Sequence, residues 1–417
     1  MDIIDDLKYR GLVNQVTDEE GLREALKQPL AFYCGFDPTA DSLHAGNLLV
    51  ITIMMRLQRA GHHPIAVVGG GTGMIGDPSG RSDERQLHSR EVVDGYVQKL
   101  KDQLDRFLHF SDGKASYINN NDWLGHVSLI AFLRDVGKHF SLNYMLSKES
   151  VQKRIESGIS FTEFSYMLMQ SFDYLNLYER ENCRLQVGGS DQWGNITAGL
   201  ELIRRKGHAQ PAFGMTFPLI TKSDGTKFGK SMGGAIWLDP KKTTPYEWYQ
   251  FWINASDSDV MHYLKWFTFL TKETIDALED EAKAHPEMRK AQKTLAAEMT
   301  RLVHGDEALH QAEEITAALF SGEVSALSGE EIEQGFRAFP RYDLSAAADV
   351  KLLDLIVAAG VTPSKRQGRE DISNGAITVN GRRRMDVDGL VTTGERIDGR
   401  FVIVRRGKKN YTLIHFT

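Results

Sequence analysis

A strand, a polar loop and a long apolar helix follow one another near the start of the chain. Leu30–Tyr33 is typical of a buried strand, and Leu48–Leu57 is an apolar helical segment closed by a glycine. The loop between them is polar and rich in turn residues, which predicts a helix start near residues 41–42. His44 and Asn47 would lie in the first turn, where unpaired N–H groups suit a phosphate. A capped turn without a ligand would leave the same pattern.

Strand and helix patterns alternate from residue 31 to about residue 220. His63–Val68 and Cys183–Val187 are strand-like, whereas Glu91–Phe110 and Ile196–Lys206 have helical periodicity. The two strands run into glycine-rich polar loops, GGGTGMIGDPSG and GGSDQWGN. This alternation predicts the α/β class, with a doubly wound, Rossmann-like parallel sheet and ligands at the carboxyl ends of its strands.

The first glycine-rich loop places Gly71, Gly73 and Gly76 at a spacing close to GxGxxG, the pattern of dinucleotide-binding proteins. The acidic residue expected about 20 positions later, after a second strand, is missing. We therefore do not predict a dinucleotide site at this loop.

Composition excludes several classes of protein. The chain is 41% hydrophobic and 25% charged, as in globular proteins. No apolar run approaches the roughly 20 residues that span a bilayer, and the acidic N-terminus is not a secretory signal. Cys34 and Cys183 form neither a disulfide framework nor a CxxC metal site, which favours the reducing cytoplasm and predicts no membrane association.

The length of 417 residues predicts two or three domains. Helical patterns replace the strands from about residue 246 to 320, and Ile377–Val379 reads as a strand that ends in an Asn-Gly turn. Residues 351–417 carry thirteen Lys/Arg and seven Asp/Glu, although the whole chain has a net charge of −6. This basic end predicts a polyanionic partner. The predicted boundaries give residues 1–235, 236–325, a linker at 326–349, and 350–417.

A second loop, KSDGTKFGKS at Lys222–Ser231, combines lysines, glycines and a hydroxyl group. A solvent-exposed turn would have the same composition. Together with HAGN at His44–Asn47, however, the loop resembles the two signature motifs of class I aminoacyl-tRNA synthetases. Together with the segments described below, these motifs resemble the bacterial tyrosyl-tRNA synthetase family within class I. The resemblance covers essentially the whole chain.

Three polar side chains lie on one face of a mostly apolar helix predicted at Phe161–Tyr178. Tyr166, Gln170 and Asp173 are spaced i, i+4 and i+7. They form either a solvent-facing stripe or the wall of a pocket for a ligand with a polar tip, since buried polar groups need partners. The resemblance implies a pocket for L-tyrosine. Its implied residues are Tyr33 and Asp173 at the phenolic hydroxyl, Tyr166, Gln170 and Asp77 at the ammonium group, Gln192 near the carboxylate, and Asn120.

The resemblance also implies a two-step reaction. Tyrosine reacts with ATP to give tyrosyl-adenylate and pyrophosphate, and the tyrosyl group then moves to the 3′ end of tRNA(Tyr). Positive charge and positioning are what such a step needs. The implied catalytic residues are Thr39, His44, Asn47, Arg81, Arg85, Lys227, Lys230 and Ser231. Implied nucleotide contacts are Gly35, Asp37, Gly46, Gly189 and Asp191, with Mg²⁺ accompanying ATP and no protein metal cage.

Two positions depart from the family pattern. The first motif usually ends in histidine, and this chain has Asn47, whose amide can still donate to a phosphate. Arg81 stands where lysine is usual, and the two cations differ in geometry and hydration.

Residues 350–417 resemble the S-four type RNA-binding domain of ribosomal proteins, although a stabilising tail is the alternative. The predicted RNA-facing residues are Lys365, Arg366, Arg369, Arg382, Arg383 and Arg384. The resemblance further implies that residues 236–325 form a helical anticodon-side domain. It also implies a homodimer, with an insertion at about 120–160 and Phe132–Met145 near the interface.

Three other functions remain open from the sequence. A tryptophan-specific class I synthetase would share the ATP motifs but lack the Tyr33/Asp173 pair and the basic tail. A nucleotidyltransferase that makes a dinucleotide cofactor would share the HxGN-type site without an RNA module. A non-catalytic RNA-binding relative would be expected to lose the lysine loop, which is intact here.

Overall fold

The computed structural model describes residues 2–80, 87–155, 158–223, 228–231, 234–345, 348–407 and 410–417, with only the backbone at residues 230–231. The chain packs as two compact units. The first combines residues 1–239 with 256–291, and the second combines residues 240–255 with 292–417. The domain boundaries predicted above stay a prediction.

The strands, in chain order, are β1 (Gln15–Val16), β2 (Ala31–Phe36), β3 (His63–Val68), β4 (Ser116–Asn119), β5 (Cys183–Gly189), β6 (Phe213–Phe217), β7 (Lys230–Ser231), β8 (Gly234–Ala235), β9 (Arg341–Leu344), β10 (Val350–Lys351), β11 (Ile377–Val379), β12 (Arg382–Arg384), β13 (Leu390–Val391), β14 (Phe401–Arg406) and β15 (Asn410–Phe416).

The helices, in chain order, are α1 (Ile3–Tyr9), α2 (Glu19–Ala25), α3 (Ala45–Arg59), α4 (Arg90–Leu104), α5 (Asn121–Leu124), α6 (Leu129–Asp135), α7 (Leu142–Leu146), α8 (Glu149–Ile155), α9 (Phe161–Glu181), α10 (Trp193–Arg205), α11 (Pro245–Ile253), α12 (Val260–Phe267), α13 (Lys272–Ala284), α14 (Lys290–His304), α15 (Asp306–Ser321), α16 (Gly329–Gly335), α17 (Leu352–Ala358) and α18 (Lys365–Ser373). Within the described residues, no helix combines the length and apolar character that a membrane span requires.

The sheet of the first unit has the strand order β1-β6-β5-β2-β3-β4. Neighbours from β6 to β4 pair in parallel, and β1 pairs antiparallel with β6 at the edge. The order reverses between β2 and β5, which is where doubly wound sheets bind their ligands. The predicted α/β class is confirmed. The N-terminal segment contributes the edge strand β1 as well as the helices α1 and α2.

The helix that follows β2 begins later than its sequence predicts. Its N-cap is His44, whose Nδ1 accepts a hydrogen bond from the Gly46 N–H at 3.0 Å. Asn47 Oδ1 accepts from the His44 N–H at 3.0 Å, so the two side chains form a reciprocal capping box. The predicted start at residues 41–42 is wrong because His44, a residue outside the usual caps, satisfies the first N–H groups.

The long helix α9 follows a conventional cap and carries the predicted polar face. Ser160 Oγ accepts from the Glu163 N–H at 3.2 Å, and Asn182 ends the helix in the left-handed conformation, with φ 50°. Tyr166, Gln170 and Asp173 therefore lie on one continuous helix, as the i, i+4, i+7 spacing predicted. α9 packs mainly against α10 and β5.

The second unit contains a five-stranded sheet in the order β12-β11-β14-β15-β9. Asn380 and Gly381 connect β11 to β12, with φ angles of 48° and 82°. Two consecutive positive φ angles are the requirement of a type I′ hairpin turn, which the Asn-Gly pair predicted. α17 and the inner faces of β11, β14 and β15 enclose one apolar core.

Where the structure describes it, the segment predicted as a linker at 326–349 contains a helix and a strand. α16 starts with a capping box in which Ser328 and Glu331 bond each other's backbone N–H groups, and β9 pairs in parallel with β15. Ile332 and Phe336 are buried with Phe401 and Tyr411 in a second apolar core. The sequence SGEE at 328–331, within the predicted linker, is the start of α16.

Candidate active site

A cavity of about 540 Å³ lies at the carboxyl ends of β2 and β5, beside the first turn of α3. The structure brings together around it most of the residues predicted for tyrosine and ATP. The predicted residues that line it are Tyr33, Gly35, Asp37, Thr39, His44, Gly46, Asn47, Asp77, Asn120, Tyr166, Gln170, Asp173, Gly189, Asp191 and Gln192.

A carboxylate and a phenol are buried together at one end of the cavity. Asp173 is 3% exposed and Tyr33 is 1% exposed. Trp123 Nε1 donates to Asp173 Oδ1 at 2.6 Å, and Asn120 Nδ2 donates to Asp173 Oδ2 at 2.9 Å. Burial raises the pKa of Asp173 to about 8, against the opposing effect of these two hydrogen bonds.

The Tyr33 hydroxyl finds no hydrogen-bond partner among the described residues. Its ring packs edge-on against Tyr174 at a centroid distance of 5.2 Å. Burial, and then the nearby Asp173 carboxyl, hold the pKa of Tyr33 well above its ordinary value, so the phenol keeps its proton. This end of the cavity therefore offers one hydroxyl donor and one carboxyl to a ligand with a polar tip.

A network of polar side chains joins the residues predicted around the amino-acid backbone. Tyr166 donates to Asp37 Oδ2 at 2.7 Å, and Gln192 Nε2 donates to Asp77 Oδ2 at 2.7 Å. Gln170 Nε2 donates to Gln192 Oε1 at 3.2 Å. Burial, followed by Asp37 and Asp77, raises the pKa of Tyr166 well above its ordinary value. Carboxylates and amide oxygens converge here, which suits an ammonium group.

The capping box determines what the HxGN motif can offer to a phosphate. His44 Nδ1 accepts a backbone hydrogen bond, so the neutral imidazole carries its proton on Nε2. Asn47 uses Oδ1 in the cap, which leaves its Nδ2 hydrogens as the donors of that side chain. Both side chains line the cavity at the helix N-terminus, where the helix dipole adds positive potential.

Backbone hydrogen bonds connect the two signature motifs. The Ala45 N–H donates to the Ile236 carbonyl at 2.8 Å, and the Leu238 N–H donates to the Leu43 carbonyl at 2.9 Å. The Ile236 N–H donates in turn to the Gly229 carbonyl at 2.9 Å. The chain that leaves the lysine loop is therefore held against the start of α3.

Some predicted residues of this site are beyond what the structure describes. Arg81, Arg85 and Lys227 lie outside the described residues, and for Lys230 and Ser231 only the backbone, in β7, is described. Their roles stay predictions.

Sequence reasoning missed several polar residues that support this cavity. Thr72 donates to Asp37 Oδ1 at 2.7 Å and accepts from Asn120 at 2.9 Å. Asn195 donates to Gln170 Oε1 at 3.1 Å. Trp123 was missed as well. The GGSDQWGN loop, which contains Asn195, carried a usable signal, whereas no local pattern identifies Trp123 or Thr72.

The predicted RNA-facing residues occupy α18 and β12 of the second unit. Lys365 pairs with Asp354 at 2.7 Å, and Arg384 pairs with Glu395. The other four are exposed and form no ion pair with any residue that the structure describes: Arg366, Arg369, Arg382 and Arg383. Their role as RNA contacts stays a prediction.

Comparison with known proteins agrees with this architecture. The family model for tRNA synthetases class I (W and Y) matches residues 25–321, and the model for the tyrosine–tRNA ligase SYY-like C-terminal domain matches residues 331–414. The tyrosine–tRNA ligases of Geobacillus stearothermophilus and Bacillus caldotenax are 61% and 60% identical over 420 residues, covering 100% of each chain.

A solved structure is similar as well. The C-terminally truncated mitochondrial tyrosyl-tRNA synthetase of Aspergillus nidulans is 30% identical, with a TM-score of 0.68, over 76% of this chain and 94% of that one. The predicted family is thus confirmed along the whole chain. The chain belongs to the tyrosine–tRNA ligase family of class I aminoacyl-tRNA synthetases.

Proposed function

We propose that the chain activates L-tyrosine with ATP and transfers the tyrosyl group to tRNA(Tyr). A tyrosine carboxylate oxygen bonds to the α-phosphorus of ATP while the bond to the leaving pyrophosphate breaks. A hydroxyl group of the terminal tRNA ribose then attacks the carbonyl carbon of the adenylate, which forms the ester, breaks the acyl–phosphate bond and releases AMP. The observation that carries this proposal is the buried Tyr33–Asp173 pair in a cavity that also contains the HxGN cap. The family membership supports the same reaction.

The buried end of the cavity would hold the tyrosine side chain. Asp173 would accept a hydrogen bond from the substrate hydroxyl, and Tyr33 would donate one to it. Asn120 acts through Asp173, which it already contacts. Asp77, Tyr166 and Gln170 would hold the ammonium group, and Gln192 would lie near the carboxylate.

The other end of the cavity would hold ATP. His44 Nε2 and the Asn47 amide are donors at the positive end of α3, where charge develops on the phosphates. Asp37 and Asp191 would contact the nucleotide, with Asp191 at the ribose and the backbone of Gly35, Gly46 and Gly189 allowing close approach. The remaining proposed contacts to the triphosphate are Thr39, Arg81, Arg85, Lys227, Lys230 and Ser231.

Mg²⁺ would accompany ATP. Among the described residues, no group of three His, Cys, Asp or Glu side chains could hold a metal ion. In this proposal the phosphate oxygens therefore supply most of the ligands of Mg²⁺, which commonly retains waters and substrate phosphates. The ion would neutralise charge on the leaving pyrophosphate.

A homodimer is supported by an unusual apolar surface on α6 and α7. Leu129, Ile130 and Leu142 are 70%, 73% and 67% exposed. Exposed apolar patches mark interaction sites, and these side chains lie in the insertion predicted at 120–160. We propose that the subunit interface lies there.

The two free, buried thiols, Cys34 and Cys183, are compatible with the cytoplasm as the working compartment.

ATP–pyrophosphate exchange, measured separately with tyrosine, tryptophan and phenylalanine, tests the activation step. Tyrosine alone should support exchange, and tRNA(Tyr) should then be charged. Faster exchange with tryptophan would indicate the tryptophan-specific alternative. No exchange with any amino acid would favour the nucleotidyltransferase or the non-catalytic RNA-binding alternative.

A further inference from the structure

A single aromatic ring in the glycine- and lysine-rich loop is buried. Phe228 is 9% exposed, although the loop residues around it in the sequence are small or polar. Its ring stacks on Phe267 at a centroid distance of 5.5 Å and an interplanar angle of 18°. It also meets Tyr263 edge-on at 5.2 Å. Tyr263 and Phe267 are one turn apart on α12, so they form a slot for the Phe228 ring.

The next residue, Gly229, is in contact with the start of α3. Its φ angle is 76°, which favours glycine, and a Cβ there would lie only 3.3 Å from the Gly46 backbone nitrogen. Its carbonyl accepts from the Ile236 N–H at 2.9 Å. Two consecutive loop residues are thus held between α12 on one side and the HxGN motif on the other.

The slot on α12 is itself fixed relative to α3. Arg56 of α3 donates to the Thr268 carbonyl, just beyond the last turn of α12. Arg10 of α1 donates to the Lys265 and Leu270 carbonyls at 3.0 and 2.8 Å. Buried guanidinium groups at a helix C-terminus satisfy carbonyls that lack helical partners and complement the helix dipole. α12 therefore provides a rigid reference point for the loop.

We propose that Phe228 is a positioning residue for adenylate formation, a proposal that rests on the proposed function. Lys227 precedes Phe228 in the sequence, and Lys230 follows Gly229. Packing of the ring against Tyr263 and Phe267 fixes the loop backbone at Phe228 and Gly229, and with it the backbone of Lys230, relative to the α3 N-terminus. The ring touches no substrate, and it acts through the loop. α12 thereby belongs to the machinery of the ATP site.

The test compares Phe228→Ala with Phe228→Leu in the full-length protein. Single-turnover adenylate formation is measured at saturating tyrosine and ATP, and the Kd for tyrosine is measured by equilibrium dialysis. A misplaced positive charge costs transition-state stabilisation, so Phe228→Ala should form adenylate about 10- to 100-fold more slowly. The Kd for tyrosine should stay within about twofold, because Phe228 does not line the cavity. Phe228→Leu should recover part of the rate.

A matched control is Phe110→Ala, which removes another ring of the first unit that does not line the cavity. It should leave the adenylate rate unchanged. Unchanged rates in both Phe228 variants would overturn the proposal. So would a loss of tyrosine affinity as large as the loss of rate in the well-folded Phe228→Leu variant. That result would mean that the ring only stabilises the fold.

A double-mutant cycle with Phe267→Leu tests whether the slower adenylate formation arises from the contact between the Phe228 and Phe267 rings. If the ring contact transmits it, the double variant Phe228→Leu/Phe267→Leu should be less impaired than the product of the single effects predicts. Multiplicative effects would show that Phe228 acts elsewhere and would refute the role of the slot. Absence of tyrosine-dependent exchange in the unmodified protein would instead refute the proposed function, so the two failures are distinguishable.

Discussion

Replacing Trp123 with phenylalanine would remove one of the two hydrogen bonds that support the buried Asp173 carboxyl. The 2.6 Å bond from the indole N–H is short and fully buried. A hydrogen bond to a charged group contributes about 1.5–3 kcal/mol. If tyrosine binding depends on the ionised carboxylate, kcat/KM for tyrosine should fall by about 10- to 150-fold, since 1.4 kcal/mol corresponds to tenfold.

The pH dependence gives the same hypothesis a second, independent readout. The Trp123 bond lowers the pKa of Asp173, so its loss raises that pKa further above about 8. In the unmodified protein, kcat/KM for tyrosine should rise as the pH passes through about 8 and the carboxyl ionises, since this parameter reports groups of the free enzyme. In Trp123→Phe the rise should occur at higher pH, and the deficit should be larger at neutral than at alkaline pH.

Phenylalanine serves as the internal control for this variant. It has no hydroxyl to meet Asp173, so its kcat/KM should be almost unaffected by Trp123→Phe. Pyrophosphate exchange with each amino acid, measured across the pH range, gives both ratios. Equal losses for tyrosine and phenylalanine, or a pH profile that does not move, would refute the role assigned to this hydrogen bond.

Four other substitutions test separate parts of the proposal. Tyr33→Phe should reduce the preference for tyrosine over phenylalanine in exchange kinetics, and should not lower the Tm, because it removes a buried hydroxyl without a described partner. Lys230→Ala should lower kcat for adenylate formation while the tyrosine Kd barely moves. Combined Arg366→Glu and Arg369→Glu should raise the KM for tRNA and flatten its salt dependence, with exchange intact. Ile130→Asp should shift the proposed dimer towards monomer in sedimentation, because it places a charge among the exposed apolar side chains of α6 and α7.

Rejection of phenylalanine by tyrosyl-tRNA synthetases is the usual example of selection by hydrogen bonding to a substrate hydroxyl, so it is not itself a new prediction. What the structure adds is a division of roles. Asp173 accepts hydrogen bonds from two donors that hold it in place, whereas the Tyr33 hydroxyl has no hydrogen-bond partner in the part of the chain that the structure describes. Loss of the Trp123 indole should therefore change the ionisation of Asp173. Loss of the Tyr33 hydroxyl should instead remove a hydrogen bond to the substrate hydroxyl.

The parts of the site that follow a local rule were predictable from the sequence. Tyr166, Gln170 and Asp173 share a face because the helical period of 3.6 residues places them there. The strand-loop-helix alternation predicted the sheet and the edge at which ligands bind. Trp123 and Asp173, by contrast, are 50 positions apart, and no short pattern connects them. Their contact exists because the tertiary fold brings α5, which carries Trp123, against α9, which carries Asp173.

The start of α3 shows a different limit. Asp and Ser are common N-caps and imidazole is not, so propensity alone placed the start at residues 41–42. The structure gives the cap to His44 because Asn47 completes a reciprocal box. A residue expected to bind phosphate thus also forms the N-cap at which the helix begins, and this role leaves its Nε2 as the donor. Local propensity therefore failed where one side chain has both a structural and a proposed chemical role.

The tyrosine end of the cavity shows why selectivity and local stability have a common origin. Burying an ionisable carboxyl and an unpaired phenol opposes folding, and Trp123 and Asn120 offset only part of that cost. The hydrogen-bonding capacity that stays unused matches one substrate group. A hydroxyl group can both donate to Asp173 and accept from Tyr33. Bound phenylalanine would leave the Tyr33 hydroxyl without a partner and would give Asp173 no hydrogen bond beyond those from Trp123 and Asn120. A better-satisfied pocket would be more stable, but it would have less reason to distinguish the two amino acids.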